Sequence, residues 1–354
     1  MESSPVADDT AQFLAGLKGR PDGPYRKLED TAAWQKYSTE FGDIWKRLER
    51  DQFAKVDAFQ KRELAPAKTS SSFVFYPLSG PDVLYATRFF PDSNVFVFAG
   101  LERVGTLRPP ESYKPETLDK DLRGFRWAVS SIVERSFFVT SEMDQQFHGK
   151  VADGLLPMIL MLLARSGHAI DKVDYGKFTD AGEFVPEEPG VESKKHQGVA
   201  IRFHRGADTT ARTLYYFSRD LAADFEKNPA FSRFLHRLGT PDTLVKSGQF
   251  LLHWQMCRAL RQYILDNSNL IFEDDTGIPY AYFKNPTWQV QLFGEYSAPD
   301  RPFTREYQRD LAAAFQEPEK VRKLGFPLGY GSQRRPSSMI LATRRATDAK
   351  PVKN

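Results

Sequence analysis

The sequence predicts an α/β protein: a Rossmann-like layered fold with a mixed, partly parallel sheet flanked by helices, plus an N-terminal helical extension. Three observations predict it. Apolar, aromatic strand-like runs alternate with helical segments from Ser70 onward, the pattern of a layered sheet with crossover helices. Ser72-Phe-Val-Phe-Tyr76 gives way through a Gly-Pro turn to a helix at Pro81–Phe90 and a second strand at Asn94-Val-Phe-Val-Phe98, a unit that pairs its two strands in parallel. Several strand-like runs then recur late in the chain, which favours a mixed sheet over a purely parallel one.

In chain order, residues 1–30 carry Pro5, Pro21, Gly23 and Pro24 and read as a flexible arm with one helical turn around Phe13–Leu17. Residues 31–66 form the helical extension. Thr31 caps a first helix, and Ile44, Trp45, Leu48, Val56 and Phe59 make an amphipathic stripe that ends before Pro66. Residues 70–345 form one α/β domain. Beyond its first unit come a long helix with Leu122, Phe125, Trp127, Val129, Ile132 and Val133 on its buried side, and a helix over Leu155–Arg165. Strands follow at Ala169–Phe178, Gly198–His204 and Thr213–Phe217, with a polar loop over Thr179–Gln197. Residues 220–266 read as helices broken at Gly239-Thr-Pro-Asp242, before strands at Leu270–Glu273, Trp288–Phe293 and Ser338–Thr343 and a helix at Thr304–Gln316. Residues 346–354 are a basic tail.

Composition excludes some classes of function. A net charge of +3 over 49 basic and 46 acidic residues gives no basic face for nucleic acid. The run Arg334, Arg335, Arg344, Arg345, Lys350 and Lys353 reads as a solvated tail. The longest apolar run, Leu155–Ala164, falls well short of the ~20 residues a bilayer needs. Met1–Thr10 has no apolar signal-peptide core. Cys257, the single cysteine, sits on an apolar run and reads as core. With one cysteine and no HExxH spacing, no zinc, haem or iron–sulfur motif is present, and no cofactor is assigned. GxSxG and Walker motifs are absent as well, so no catalytic residue is named.

The segment Tyr76-Pro-Leu-Ser-Gly80-Pro-Asp-Val-Leu-Tyr85 carries the functional argument. Gly80 allows a tight turn, Pro81 takes the first helical position, and Ser79, Gly80 and Asp82 then face the C-terminal edge where open α/β sheets bind ligands. Asp82 is expected at an exposed helix start, where its charge is worth ~0.3–1 kcal/mol through the helix dipole. There it repels a pyrophosphate and suits an amine or a hydroxyl. Glu102, about 20 positions on, ends the second strand where nucleotide-type folds place a ribose-binding acid. Glu273-Asp-Asp275-Thr-Gly277 follows another strand, so Asp274 and Asp275 are expected near the same crevice. Lys246-Ser247-Gly248 reads as the opening of a helix bearing His253; Lys246 and His253 are secondary candidates, since Lys246 and Ser247 are adjacent and diverge on a helix.

These same segments, with Phe89-Phe-Pro91 and Asp274-Asp-Thr-Gly-Ile-Pro-Tyr280, resemble a family of uncharacterised bacterial proteins that are usually exported. The resemblance spans roughly residues 10–345. It implies an envelope or periplasmic location and no particular activity. A more distant likeness is to methyltransferases that bind S-adenosylmethionine, with the Gly80 motif as first cofactor loop and Glu102 as ribose acid. The chain departs from that pattern in lacking the GxG and the acid ahead of it. The expected function is an exported small-molecule-binding protein, with a methyltransferase-like enzyme or an envelope interaction protein as the alternatives.

Overall fold

A computed structural model of the chain describes residues 4–67, 70–135, 153–187, 196–227, 229–299, 301–329 and 337–345. The basic tail at 346–354, Arg334 and Arg335 lie outside them, as do the side chains of Val129, Ile132 and Val133.

The first helices are α1 (Ser4–Leu14), α2 (Arg26–Glu29), α3 (Ala32–Leu48) and α4 (Ala54–Phe59). The Thr31 hydroxyl accepts the Trp34 amide at 3.3 Å and starts α3 as expected of a cap. Helical backbone then runs on to Leu64, widening to π turns at Glu49–Phe53 and Gln60–Leu64. Residues 4–30 are not an arm. Ala7, Ala11, Phe13 and Leu14 of α1 are fully buried, and Phe13 stacks on Tyr25 at 4.2 Å. The Trp34 indole donates to the Phe13 carbonyl, and Asp8 accepts the Ile170 amide, so α1 is tied to both α3 and the sheet. Proline and glycine content concealed a helix that long-range packing stabilises.

The sheet strands are β1 (Phe73–Pro77), β2 (Val95–Gly100), β3 (His168–Phe178), β4 (Phe184–Pro186), β5 (Gly198–Arg205), β6 (Asp208–Ser218), β7 (Pro241–Val245), β8 (Leu270–Asp274), β9 (Trp288–Gly294), β10 (Val321–Arg322) and β11 (Ser338–Arg344). They lie in the order β10-β9-β11-β8-β7-β1-β2-β6-β5-β3-β4. The middle of the sheet, β6-β2-β1-β7-β8, is parallel throughout, whereas β11, β5, β3 and β4 pair antiparallel. The sheet is therefore mixed and partly parallel, and β1 and β2 are parallel neighbours with Val74 opposite Phe96. Numbered by their order along the chain, the five parallel strands run 3-2-1-4-5, the doubly wound arrangement.

Strand β7 lies inside the segment that reads as helical in the sequence. Pro-Asp-Thr-Leu-Val is too short to show alternation, and its proline stands at the first position, where a missing N–H is tolerated. The consequence is large, because β7 pairs directly with β1 at the centre of the sheet.

Helices cover both faces. On one pack α1–α4, α5 (Val83–Phe89), α6 (Leu118–Arg135) and α7 (Leu156–Arg165), against Val74, Tyr76 and Phe98. On the other pack α8 (Leu221–Lys227), α9 (Pro229–Leu238), α10 (Arg258–Asn267) and α11 (Arg309–Ala314), against Phe73, Phe75 and Val97. Burial on both sides explains why β1 reads as a continuous apolar run. On α6, Leu118, Leu122 and Phe125 are buried while Trp127 is exposed, being about 200° around the helix from Phe125. No described helix is long and apolar enough to cross a membrane.

Phe13→Ala should lower the unfolding free energy by ~3–5 kcal/mol, the cost of emptying a fully buried aromatic site. Urea denaturation measures it; a loss below ~1 kcal/mol would return residues 4–30 to the status of an arm.

Candidate functional site

In a doubly wound sheet the ligand crevice opens where the strand order reverses, outside the strand C-termini. Here that point lies between β1 and β7. The backbone is strained on both sides of it. Leu78 follows β1 with φ 59°, and Ser247, Gln249 and Phe250 follow β7 with φ 55°, 53° and 58°. Among the described residues these are all the non-glycine positions with left-handed φ. Such positions cost on the order of 1–3 kcal/mol each and persist where surrounding contacts over-determine them. Those contacts are present: the Leu78 amide donates to the Ala99 carbonyl at 2.8 Å, Ser247 N–H to Asp274 Oδ2 at 2.8 Å, and Gly248 N–H to Thr276 Oγ1 at 2.6 Å. A Cβ at Gly248 would touch both the Thr276 carbonyl and Leu78 Cδ1, so the loops after β1, β7 and β8 meet at this glycine.

Lys246 and Asp82 fill the reversal point. The Lys246 ammonium lies 2.8 Å from Asp82 Oδ2 and 4.3 Å from the centre of the Tyr85 ring. Asp82 Oδ2 also accepts the Tyr76 hydroxyl at 2.9 Å, while Oδ1 accepts the Tyr85 amide at 3.3 Å. The helix thus begins at Val83 with Asp82 as its cap, and Pro81 precedes the cap rather than taking the first helical position. Asp82 is 2% exposed, which overturns the exposed helix start expected from sequence. Burial raises its carboxyl above the usual range, against the opposing pull of Lys246, Tyr76 and the Tyr85 amide. Burial also pushes the Tyr76 phenol well up, so it stays a neutral donor to Asp82. Gln52, from the first π turn, donates to the Tyr85 hydroxyl at 2.9 Å and to the Pro327 carbonyl at 2.6 Å, fixing the ring that covers Lys246.

Lys246 does not open a helix. It follows β7 directly, and His253 stands in a separate 3₁₀ turn, Leu251–His253. The two are not brought together: His253 Nδ1 lies 3.4 Å from Glu306, and burial pushes its pKa down to about 4. Cys257 is buried, which raises its thiol pKa.

Asp274, the last residue of β8, joins the cluster. Its Oδ2 accepts the Ser247 amide and its Oδ1 accepts both the amide and the hydroxyl of Thr276. A Cβ at Gly329 would overlap Asp274 Oδ2, so this glycine lets the chain close over the carboxylate. Burial raises the Asp274 carboxyl, with Lys246 among the groups holding it down. Asp275 diverges, its carboxylate accepting the Ser338 hydroxyl and its carbonyl the Gln308 amide.

Glu273 is a residue that sequence reasoning passed over. It is 0% exposed; Oε2 accepts the Ile278 amide at 2.9 Å and Oε1 has no partner. Burial, then the negative charges of Asp274 and Asp275, push its carboxyl well above the ordinary range. Its place inside a strand buried on both faces was the available signal.

Ser79 is buried and its hydroxyl bonds the Gly80 carbonyl at 3.1 Å, while Gly80 itself takes φ 52°. Ser79, Gly80, Asp82, Lys246 and Asp274 are therefore gathered around the reversal point. Glu102 stands one strand away, half-buried after the end of β2. Its carboxylate folds back over Gly100, where a Cβ would lie 2.5 Å from Oε2, and its carbonyl accepts the Tyr216 hydroxyl at 2.7 Å. The Tyr216 hydroxyl also lies within hydrogen-bonding reach of the Glu102 carboxylate, which forms no ion pair among the described residues. No group of three or more described His, Cys, Asp or Glu residues is placed to hold a metal ion. No family model, curated protein or solved structure matches this chain.

Asp82→Asn should cost ~3–5 kcal/mol, because it removes the carboxylate paired with a buried ammonium, and Lys246→Met added to it should cost much less than the sum of the single changes. Denaturation of the four proteins of this cycle measures both; a single-variant loss under ~1 kcal/mol is the exposed-start outcome and sinks the pair as a structural anchor.

Glu273→Gln should flatten the alkaline fall in stability. With the folded pKa raised above 4.5, the native state keeps a proton that the unfolded chain releases. Stability therefore falls as pH rises from 4.5 through the folded value, by up to ~1.4 kcal/mol per pH unit for one proton. Asp82 and Asp274 carry the same sign and remain, so the slope shrinks without vanishing. Unfolding free energies from pH 5 to 8 measure the change, and equal slopes in the two proteins would refute it.

Proposed function

We propose that the chain is a small-molecule-binding protein of Rossmann-like architecture, exported as its family resemblance implies. Its ligand lies along the C-terminal edge of β1, β2 and β7, between the Gly80 turn and Glu102. The observation that carries this reading is the Glu102 carboxylate, half-buried and in no ion pair among the described residues, at the end of the strand beside the reversal point. An acid there accepts a pair of ligand hydroxyls or an amine. The chemistry disfavours a phosphate at this edge: Asp82 caps α5, and Asp274 shares the field of the same Lys246. Ser79, Gly80, Asp82, Lys246 and Asp274 act in this reading as the floor that shapes the edge, and Asp275 and His253 lie outside it.

A second reading, a methyltransferase-like enzyme, draws support from the 3-2-1-4-5 order of the parallel strands together with Glu102 at the end of the second. S-adenosylmethionine carries no phosphate, and its ribose and amine suit an acidic edge.

Native mass spectrometry of the purified protein and a thermal-shift screen of nucleosides, S-adenosylmethionine, amines and sugars test both. A hit at a hundredfold excess over its Kd adds ~2.7 kcal/mol of stability. Glu102→Gln should abolish that shift and leave the unliganded melting point nearly unchanged, since Glu102 forms no ion pair among the described residues and the Tyr216 hydroxyl keeps both the Glu102 carbonyl and the new amide oxygen as acceptors. A hit that Glu102→Gln leaves intact rules out this edge as the site. A response to S-adenosylmethionine alone selects the enzyme.

A further inference from the structure

The opposite edge of the sheet carries a second feature of the other sign. At the N-terminal ends of β2 and β6, a cavity of about 180 Å³ lies where four parts of the chain meet. Lys61 reaches it from the second π turn, Arg88 from the end of α5, Ser166 and His168 from the turn between α7 and β3, and Arg205 and Arg212 from β5 and β6. The volume is about six times a water molecule's share of the liquid, ample for a tetrahedral oxyanion and a few more atoms.

Part of this charge has an ordinary explanation. Arg88 sits in the last turn of α5, where a cation meets the helix's negative end, and it is neutralised by Asp57 at 2.9 Å and Glu49 at 2.6 Å. The remainder does not. Lys61 and Arg205 make no ion pair among the described residues, and Arg212 has one long contact, 3.4 Å, to the exposed Asp208. Lys61 lies in the last turn of the helical run that ends at Leu64, so the helix end accounts for part of its charge, but Arg205 and Arg212 stand on strands β5 and β6. Three buried donors around it lack acceptors as well: Arg88 Nε, Arg212 Nε and Ser166 Oγ. Buried donors are rarely left unsatisfied without a bound group to receive them. His168 reports the same field from inside: burial first, then the charges of Arg205, Arg212 and Arg88, hold its pKa down at about 4.

We propose that this cavity binds a phosphate group, as the free ion or as the monoester end of a small metabolite, with Lys61, Arg205 and Arg212 supplying charge and Ser166 a hydroxyl donor. Two negative charges and several acceptor oxygens match three cations and the open N–H and O–H groups better than a single carboxylate does. The site is separate from the edge that holds Glu102, and its fate does not depend on that reading.

Calorimetry and thermal shift with inorganic phosphate and methyl phosphate, against chloride at equal ionic strength, test it. The expected result is saturable binding that chloride does not reproduce, weakened at least tenfold in Arg205→Gln, whose side chain is exposed and whose loss spares the fold, and likewise in Arg212→Gln. In the wild type, bound phosphate should also raise the His168 titration midpoint above about 4, which screening by salt alone would not do selectively. Tighter binding of methyl phosphate than of the free ion identifies a monoester as the natural ligand; equal binding identifies phosphate itself. Stabilisation matched by chloride, or phosphate binding unchanged in Arg205→Gln, would overturn the proposal.

Discussion

The contact between Lys246 and Asp82 joins more of this molecule than any one patch of core does. It ties the loop after β7 to the start of α5 across the point where the sheet reverses its order. A buried ion pair adds little net stability over apolar groups of the same volume, but removing one partner is expensive. Its effect is therefore to specify an arrangement: α5 can enter at one place, with Asp82 capping it and Tyr85 lying over the ammonium. From Tyr85 the constraint passes outward through Gln52 and through the edge of Phe53, 5.8 Å away, into the N-terminal helices. Those helices are accordingly part of the domain. Phe59 packs on Phe272 and Phe293 of the sheet, and Arg88 of α5 binds Glu49 and Asp57.

Charge divides the molecule by sheet edge. At the strand C-termini, Asp82 and Asp274 are gathered around one lysine with Glu273 next to Asp274 on β8, and burial raises all three carboxyls. At the strand N-termini the cavity is lined by Lys61, Arg88, Arg205 and Arg212 against one acid, Asp57, which pairs with Arg88. Part of the division follows the helix dipoles, which favour acids at helix starts such as Asp82 and cations at helix ends such as Arg88. The rest, Asp274 and Glu273 on one edge and Arg205 and Arg212 on the other, comes from strands that no macrodipole orders. The two edges thus suit ligands of opposite character.

How far this was legible in the sequence differs from element to element. The β1–α5–β2 unit was readable because each part announces itself locally: an aromatic run, a Gly-Pro turn, a helical stretch, a second run. Strand β7 was not, since its five residues stand between helices and reveal themselves only by pairing with β1. Helix α1 was hidden for a related reason, its burial depending on Tyr25, Trp34 and β3, which are remote in sequence. The candidate site shows the same limit. Position at a strand end was predictable for Asp82, Glu102, Lys246 and Asp274 once their strands were known. Burial was not, because Asp82 is enclosed by a lysine from a strand whose existence the local pattern did not show.

That difference in enclosure decides which acid can bind. Asp82 and Glu102 are the same kind of group at the C-terminal ends of adjacent strands, yet their surroundings separate them. Both oxygens of Asp82 are spent, on Lys246, the Tyr76 hydroxyl and the Tyr85 amide, and any ligand would have to displace contacts made in a dry site. Glu102 is half-buried, its carboxylate forms no ion pair among the described residues, and the Tyr216 hydroxyl beside it has the Glu102 carbonyl as an alternative acceptor. It exchanges water for ligand hydroxyls at little cost, whereas breaking a buried charged hydrogen bond costs several kcal/mol, ~3–5 by comparison with other buried pairs. The glycine turn that draws the eye in the sequence therefore supplies the architecture, and the recognition chemistry moves one strand over, to the end of β2.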